Sequence, residues 1–156
     1  MVDFDGKLFF APMDGEVLDL TDCVDPIFSQ GIVGAGVLVI PTGSKVYAPC
    51  DGTVSIIANC RHGIAIKNLE GFQVLIHIGI DTVEMDGDGF KAFKKVGDKV
   101  ESGDLLLEFD LEKIKKSGKN IQSPVVITNP EIKKVEILKK GAVNYGDEFF
   151  RICDPK

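Results

Sequence analysis

Runs of valine, isoleucine, leucine and phenylalanine alternating with polar residues recur along the whole chain, and glycine or proline interrupts them every few positions. A period of two is what a half-buried strand requires, because successive side chains point to opposite faces. The pattern predicts strands over residues 7–11, 15–19, 36–40, 45–48, 52–57, 63–67, 72–78, 99–100 with 105–109, 125–128 and 149–152. Helical spacing is weak. Residues 110–116 begin acidic, end basic and run into Gly118, which fits one short helix. Single helical turns are predicted within 21–28 and 88–93. The segment Ala11-Pro12-Met13-Asp14-Gly15-Glu16-Val17 recurs as Ala48-Pro49-Cys50-Asp51-Gly52-Thr53-Val54, and residues 97–104 find a looser echo in 141–147. Proline ahead of Asp-Gly cannot donate to a ladder, so these corners belong at strand ends. Repeated corners between alternating runs predict an all-β protein: an antiparallel β-sandwich or distorted barrel with an internal pseudo-repeat. The charged stretch 113–120 reads as a surface excursion rather than a linker, so the expectation is a single domain over residues 1–156.

Two of the predicted strands flank Asn68-Leu69-Glu70-Gly71, a tight-turn composition, and so read as a hairpin. The chain has only two histidines, and both lie here. His62 stands about as far before the turn as His77 stands after it. Antiparallel pairing about that turn would bring the two imidazoles together on one sheet.

Composition narrows the field. A formal net charge of −6 argues against a nucleic-acid partner, whose phosphates call for a basic face. No stretch nears the roughly 20 apolar residues of a membrane-spanning helix. The acidic N-terminus lacks the charged and apolar regions of a signal peptide. The four cysteines, Cys23, Cys50, Cys60 and Cys153, form no C-x-x-C pair and no disulfide framework, which fits reduced thiols and a cytoplasmic location.

The usual enzyme signatures are missing: there is no phosphate-binding P-loop, no G-x-G-x-x-G between strand and helix, no H-E-x-x-H and no G-x-S-x-G. That leaves the histidine pair. One histidine on a strand is commonly structural, whereas two that face each other invite chemistry. A metal site drawn from Cys60, His62 and His77 is one reading, and with it a zinc-dependent hydrolase. Acid–base catalysis is another. A third is covalent group transfer, with one neutral imidazole as nucleophile and the other steadying the transferred anion. The turn Val96-Gly97-Asp98-Lys99-Val100-Glu101-Ser102-Gly103-Asp104 also suggests a lipoyl-type carrier module, although no lysine occupies a clear lipoylation tip.

Several segments, taken together and in order, resemble the glucose-type enzyme IIA of the bacterial phosphoenolpyruvate-dependent sugar phosphotransferase system. They are APMDGEVLDL, DPIFSQGIVGAGVLVIPTG, VYAPCDGTV, the H-x-x-x-I run at His62, VLIHIGIDTVEMDGDGF, VGDKVESGDLLLEFD and SPVVITN. The resemblance implies an antiparallel β-sandwich phosphocarrier without metal or organic cofactor. It would take a phosphoryl group from the histidine-containing phosphocarrier protein and pass it to a cysteine of a IIB domain. It places the phosphoryl acceptor on His77 and the stabilising histidine on His62. Small residues permit close approach, so exposed backbone N–H groups near Gly79 are expected to add donors for the phosphate oxygens. Asp25 and Asp81 match acidic residues facing the phosphodonor; Phe28, Ile32, Val33, Leu75 and Val83 match the apolar rim. The chain departs from the family at Cys60, where threonine is common, at Ala35, where an acidic residue is frequent, and at Ala58, where an aromatic one occurs. The short stretch before Lys7 argues against direct membrane contact.

Overall fold

A computed structural model describes residues 6–153. The reading of the N-terminus as carrying no leader, and the two ends of the span 1–156, lie outside the described residues. Among the described residues fourteen strands dominate: β1 (Leu8–Phe10), β2 (Gly15–Asp19), β3 (Ala35–Pro41), β4 (Lys45–Tyr47), β5 (Gly52–Ile57), β6 (Gly63–Lys67), β7 (Gln73–His77), β8 (Phe90–Ala92), β9 (Lys99–Val100), β10 (Leu105–Phe109), β11 (Ser123–Ile127), β12 (Val135–Ile137), β13 (Gly141–Val143) and β14 (Glu148–Ile152). The α-helices are α1 (Pro26–Ser29) and α2 (Leu111–Lys116), with 3-10 turns at Leu20–Asp22 and Thr82–Met85. An eight-stranded sheet runs in the order β13-β2-β3-β11-β7-β6-β5-β9, and two three-stranded sheets run β1-β14-β12 and β4-β10-β8. All pairings are antiparallel.

One buried cluster joins the three sheets into a β-sandwich. It draws Val37, Val39, Ile64, Ile66, Val74, Ile76, Val125 and Ile127 from one face of the large sheet, and Phe9, Phe109, Phe149 and Phe150 from the small ones. Burying side chains of this size stabilises by roughly 2–3 kcal/mol each. The alternate residues on the large sheet face the other way. There Leu38, Val126, Leu18 and Leu75 form a second cluster with Phe28, Leu20, Cys23 and Ile80. His77 has the same strand parity as Leu75, so it stands on this outer face.

The pseudo-repeat appears as a matching set of hydrogen bonds. Phe10 N–H donates to Pro49 O while Tyr47 N–H donates to Pro12 O, so the two A-P corners grip each other. Ala11 N–H reaches Asp147 O as Ala48 N–H reaches Asp104 O, and Gly146 N–H reaches Ala11 O as Gly103 N–H reaches Ala48 O. The side chains repeat the pattern: Asp14 accepts from Tyr145 N–H and Asp51 from Ser102 N–H, both through Oδ1. The aspartate of each corner therefore ties its own half to the glycine-bearing turn beside it.

The predicted helical turn at 88–93 is instead a turn followed by β8. Gly87 and Gly89 take positive φ, and Phe90 then lies opposite Phe109 with its ring buried. Strands β12 and β13 lie in a lysine-rich stretch with too little alternation to be read from the sequence. The single turns within 21–28 are present as the first 3-10 turn and α1, and α2 lies where the charge pattern put it.

Candidate functional site

The hairpin of β6 and β7 forms about the Asn68–Gly71 turn, but its register is one residue from symmetric: Gly63, not His62, lies opposite His77. In an unbroken strand this would send the two imidazoles to opposite faces. The chain avoids that by ending β6 at Gly63. Arg61 takes φ of 60°, a left-handed turn, and His62 stays outside the strand with its carbonyl accepting Ile78 N–H at 2.7 Å. Gly63 offers no side chain, and a Cβ there would meet His77 Cδ2 at 3.8 Å. Beside it the rings meet edge to face, with centroids 5.0 Å apart and planes at 82°. Phe28 closes over His77 from α1 at 5.3 Å between ring centres.

His77 Nδ1 lies 2.7 Å from Gly79 O. A carbonyl oxygen only accepts, so Nδ1 carries the hydrogen and Nε2 keeps the in-plane lone pair. One nitrogen of the half-buried ring is thereby left with a free electron pair. Gly79 is required for this bend: its φ is +74°, and a Cβ would lie 2.4 Å from Thr82 Cγ2. The expected phosphate-binding N–H groups around Gly79 are already used. Ile78 N–H bonds His62 O, Gly79 N–H bonds Ser123 Oγ at 3.2 Å, and Ile80 N–H bonds Asn120 O. Gly79 acts on the site through its carbonyl instead.

Burial pushes the His77 pKa down from 6.5 to about 4, with the neighbouring His62 adding to the shift; the Gly79 bond, Asp25 and Asp81 pull more weakly upward. Burial also lowers the pKa of His62, whose Nδ1 is enclosed without a hydrogen-bond partner. His77 is therefore neutral and nucleophilic at neutral pH. The sign for stability follows. A base whose pKa is lowered by folding favours the folded state above about 6.5, and this advantage drains as the pH falls towards about 4. An NMR titration should find the His77 midpoint far below 6.5, near 4, and that of His62 displaced the same way. A midpoint for His77 at or above 6.5 would contradict the buried neutral ring.

Of the predicted rim, Phe28 is 3% exposed and belongs to the second cluster, while Ile32 at 68% and Val83 at 50% reach solvent. Val33 and Leu75 pack part-buried against that cluster. Asp25 caps α1 by accepting Ile27 N–H, and Asp81, with φ of 60°, opens the 3-10 turn that carries Val83. Val24 and Ile27 are also exposed apolar residues beside Asp25, and the sequence reading passed over them; their signal was two large apolar side chains flanking Asp-Pro. Ser123 and Thr82, buried polar residues touching the loop after His77, were passed over as well. Among the described residues no three His, Cys, Asp or Glu side chains are grouped to hold a metal ion, so Cys60, His62 and His77 do not assemble as ligands.

A β-sandwich that leaves one imidazole nitrogen unbonded on a sheet face, with exposed apolar residues beside it, has the surface a group carrier needs to meet another protein. The chain belongs to the EIIA 1 family of the phosphoenolpyruvate-dependent sugar phosphotransferase system, whose profile matches residues 7–132. It is 37% identical to the glucose-specific EIIA component of Haemophilus influenzae, over 88% of this chain and 83% of that protein. It is 44% identical to the beta-glucoside-specific EIIBCA component of Dickeya chrysanthemi, where 88% of this chain spans only 22% of the larger protein. The structure of the glucose permease IIA from Mycoplasma capricolum superposes with a TM-score of 0.88 at 33% identity, covering 96% of this chain and 98% of that one. The chain is a phosphocarrier of the sugar phosphotransferase system, and that role implies an upstream phosphodonor and a IIB phosphoacceptor. The comparisons give no support to a zinc hydrolase.

Proposed function

We propose that His77 takes the phosphoryl group on Nε2 from the histidine-containing phosphocarrier protein and surrenders it to a IIB cysteine. The observation that carries this reading is the 2.7 Å bond from His77 Nδ1 to Gly79 O, which leaves Nε2 with the free electron pair. On uptake that pair attacks phosphorus as the donor's N–P bond breaks, and the electrons of the broken bond return to the donor imidazole. The phosphorylated ring keeps its Nδ1 hydrogen and carries positive charge, which the Gly79 carbonyl, Asp25 and Asp81 favour. On delivery the cysteine sulfur attacks phosphorus and the Nε2 pair returns to His77. His62, 5.0 Å away between ring centres, steadies the phosphoryl oxygens.

Ile32, Val33, Leu75 and Val83 supply the apolar contact that excludes water, with buried Phe28 supporting them from beneath, and Asp25 and Asp81 steer a basic partner towards it. Cys60, Ala35 and Ala58 bear on the positioning of His62 and on partner preference. The chain acts as a single domain, without cofactor and without inserting in the membrane. It works in the cytoplasm, where phosphoenolpyruvate feeds the relay. Incubation with labelled phosphoenolpyruvate, enzyme I and the phosphocarrier protein should load one phosphoryl group per chain. Adding a cognate IIB domain should discharge it. A chain that stays unlabelled when the phosphocarrier protein itself is labelled would defeat the reading.

A further inference from the structure

The loop after His77 is held more firmly than a connection of this length requires. Two consecutive peptide units are each pinned at both ends. In the first, Ile78 C=O accepts the Thr82 hydroxyl at 2.6 Å and Gly79 N–H donates to Ser123 Oγ at 3.2 Å. In the second, Gly79 C=O accepts His77 Nδ1–H at 2.7 Å and Ile80 N–H donates to Asn120 O at 2.9 Å. Both hydroxyl residues are fully buried. Their directions are fixed: Ser123 Oγ–H is committed to Ile121 O at 2.9 Å, so its lone pair receives Gly79 N–H. The Thr82 hydroxyl meets only a carbonyl there and must donate.

We infer that Ser123 and Thr82 are positioning residues for phosphoryl transfer: their hydroxyls lock the Ile78–Gly79 peptide, and through it the Gly79 carbonyl that fixes the His77 tautomer. The inference rests on the reading of His77 as the acceptor. Glycine is the residue most able to change φ, and Gly79 already sits at +74°. Without the hydroxyl clamp, φ of Gly79 relaxes, only the Ile80 N–H bond to Asn120 O still holds the next peptide unit, and the Gly79 carbonyl pivots about that bond out of line with Nδ1. The hydrogen then distributes between the two ring nitrogens. Only the fraction with a bare Nε2 attacks in line, and a misaimed ring costs on the order of 10- to 100-fold in rate.

The experiment compares Ser123→Ala, Thr82→Val and Thr82→Ser with the wild type in the reconstituted relay, alongside long-range proton–nitrogen NMR of the His77 ring. Thr82→Val keeps the side chain's shape and removes the donor; Thr82→Ser keeps the donor. The wild type and Thr82→Ser should show a single tautomer with hydrogen on Nδ1 and equal uptake. Ser123→Ala and Thr82→Val should show mixed tautomers and uptake at least tenfold slower, with core amide resonances unchanged. Folded variants that keep one tautomer and the wild-type rate would overturn the inference. If both hydroxyl-deleted variants fail to fold, hydrogen exchange in the wild type decides: a Gly79 amide that exchanges slowly supports the clamp, and one that exchanges as an open loop overturns it. Should the label lie on a residue other than His77, the acceptor reading fails, while the tautomer measurement still judges the clamp.

Discussion

His77→Ala is expected to reduce phosphoryl uptake from the loaded phosphocarrier protein to background while leaving the sandwich intact. The ring stands on the outer face of the large sheet, with Leu75 and Phe28 as its neighbours, and contributes nothing to the main core between the sheets. Its removal exposes a little more of Phe28 and frees the Gly79 carbonyl to solvent. Relieving the folded state of a base whose pKa is driven down to about 4 also removes part of its sensitivity to acid. Circular dichroism and thermal melting at neutral pH should therefore stay close to wild type. No other imidazole replaces the lost nucleophile: the chain's second histidine, His62, is buried. Radiolabel retained on histidine in this variant would show that the acceptor is misassigned.

His62→Gln should separate the two half-reactions. Uptake is driven by the donor's own reactive N–P bond and needs only the Nε2 pair of His77, so loading should persist. Delivery requires the phosphoryl oxygens to be held while the bond to Nε2 lengthens and charge redistributes. Deleting one such stabilising group typically costs on the order of 100-fold. Glutamine has the reach to occupy the pocket but a less suitable donor, and the amide it buries meets the same lack of partners that His62 Nδ1 does. The expected result is a variant that charges and then holds its phosphoryl group when a IIB domain is added. Normal delivery by this variant would remove the role given to His62.

Much of this protein was legible in its sequence because it is written in strand alternation and turn chemistry. The A-P-x-D-G corners forecast a folded-over sheet, and their mutual hydrogen bonds account for the repeat. The histidine hairpin was legible too, though for a reason that needed correcting. Equal distance from the turn suggested facing imidazoles, whereas the register pairs His77 with Gly63. The rings meet because Arg61 adopts a left-handed conformation and His62 stays outside the strand, and neither backbone angle nor register offset follows from residue spacing alone. The rim divided in a similar way. Alternation cannot tell a residue buried under a short helix from one left at the surface, so Phe28 and Val83 looked alike before α1 was seen to close over the sheet. Ser123 and Thr82 gave no signal, because a serine before proline and a threonine after aspartate are ordinary turn residues until their hydroxyls are found on one peptide unit.

The transfer chemistry turns on which nitrogen carries the phosphoryl group. Nitrogen-15 labelled protein, loaded through the relay and observed by phosphorus–nitrogen and proton–nitrogen NMR, answers this directly. The bond of His77 Nδ1 to Gly79 O predicts phosphorus coupled to His77 Nε2, with the Nδ1 hydrogen retained. Phosphorus on Nδ1 of His77, or on His62, would contradict it.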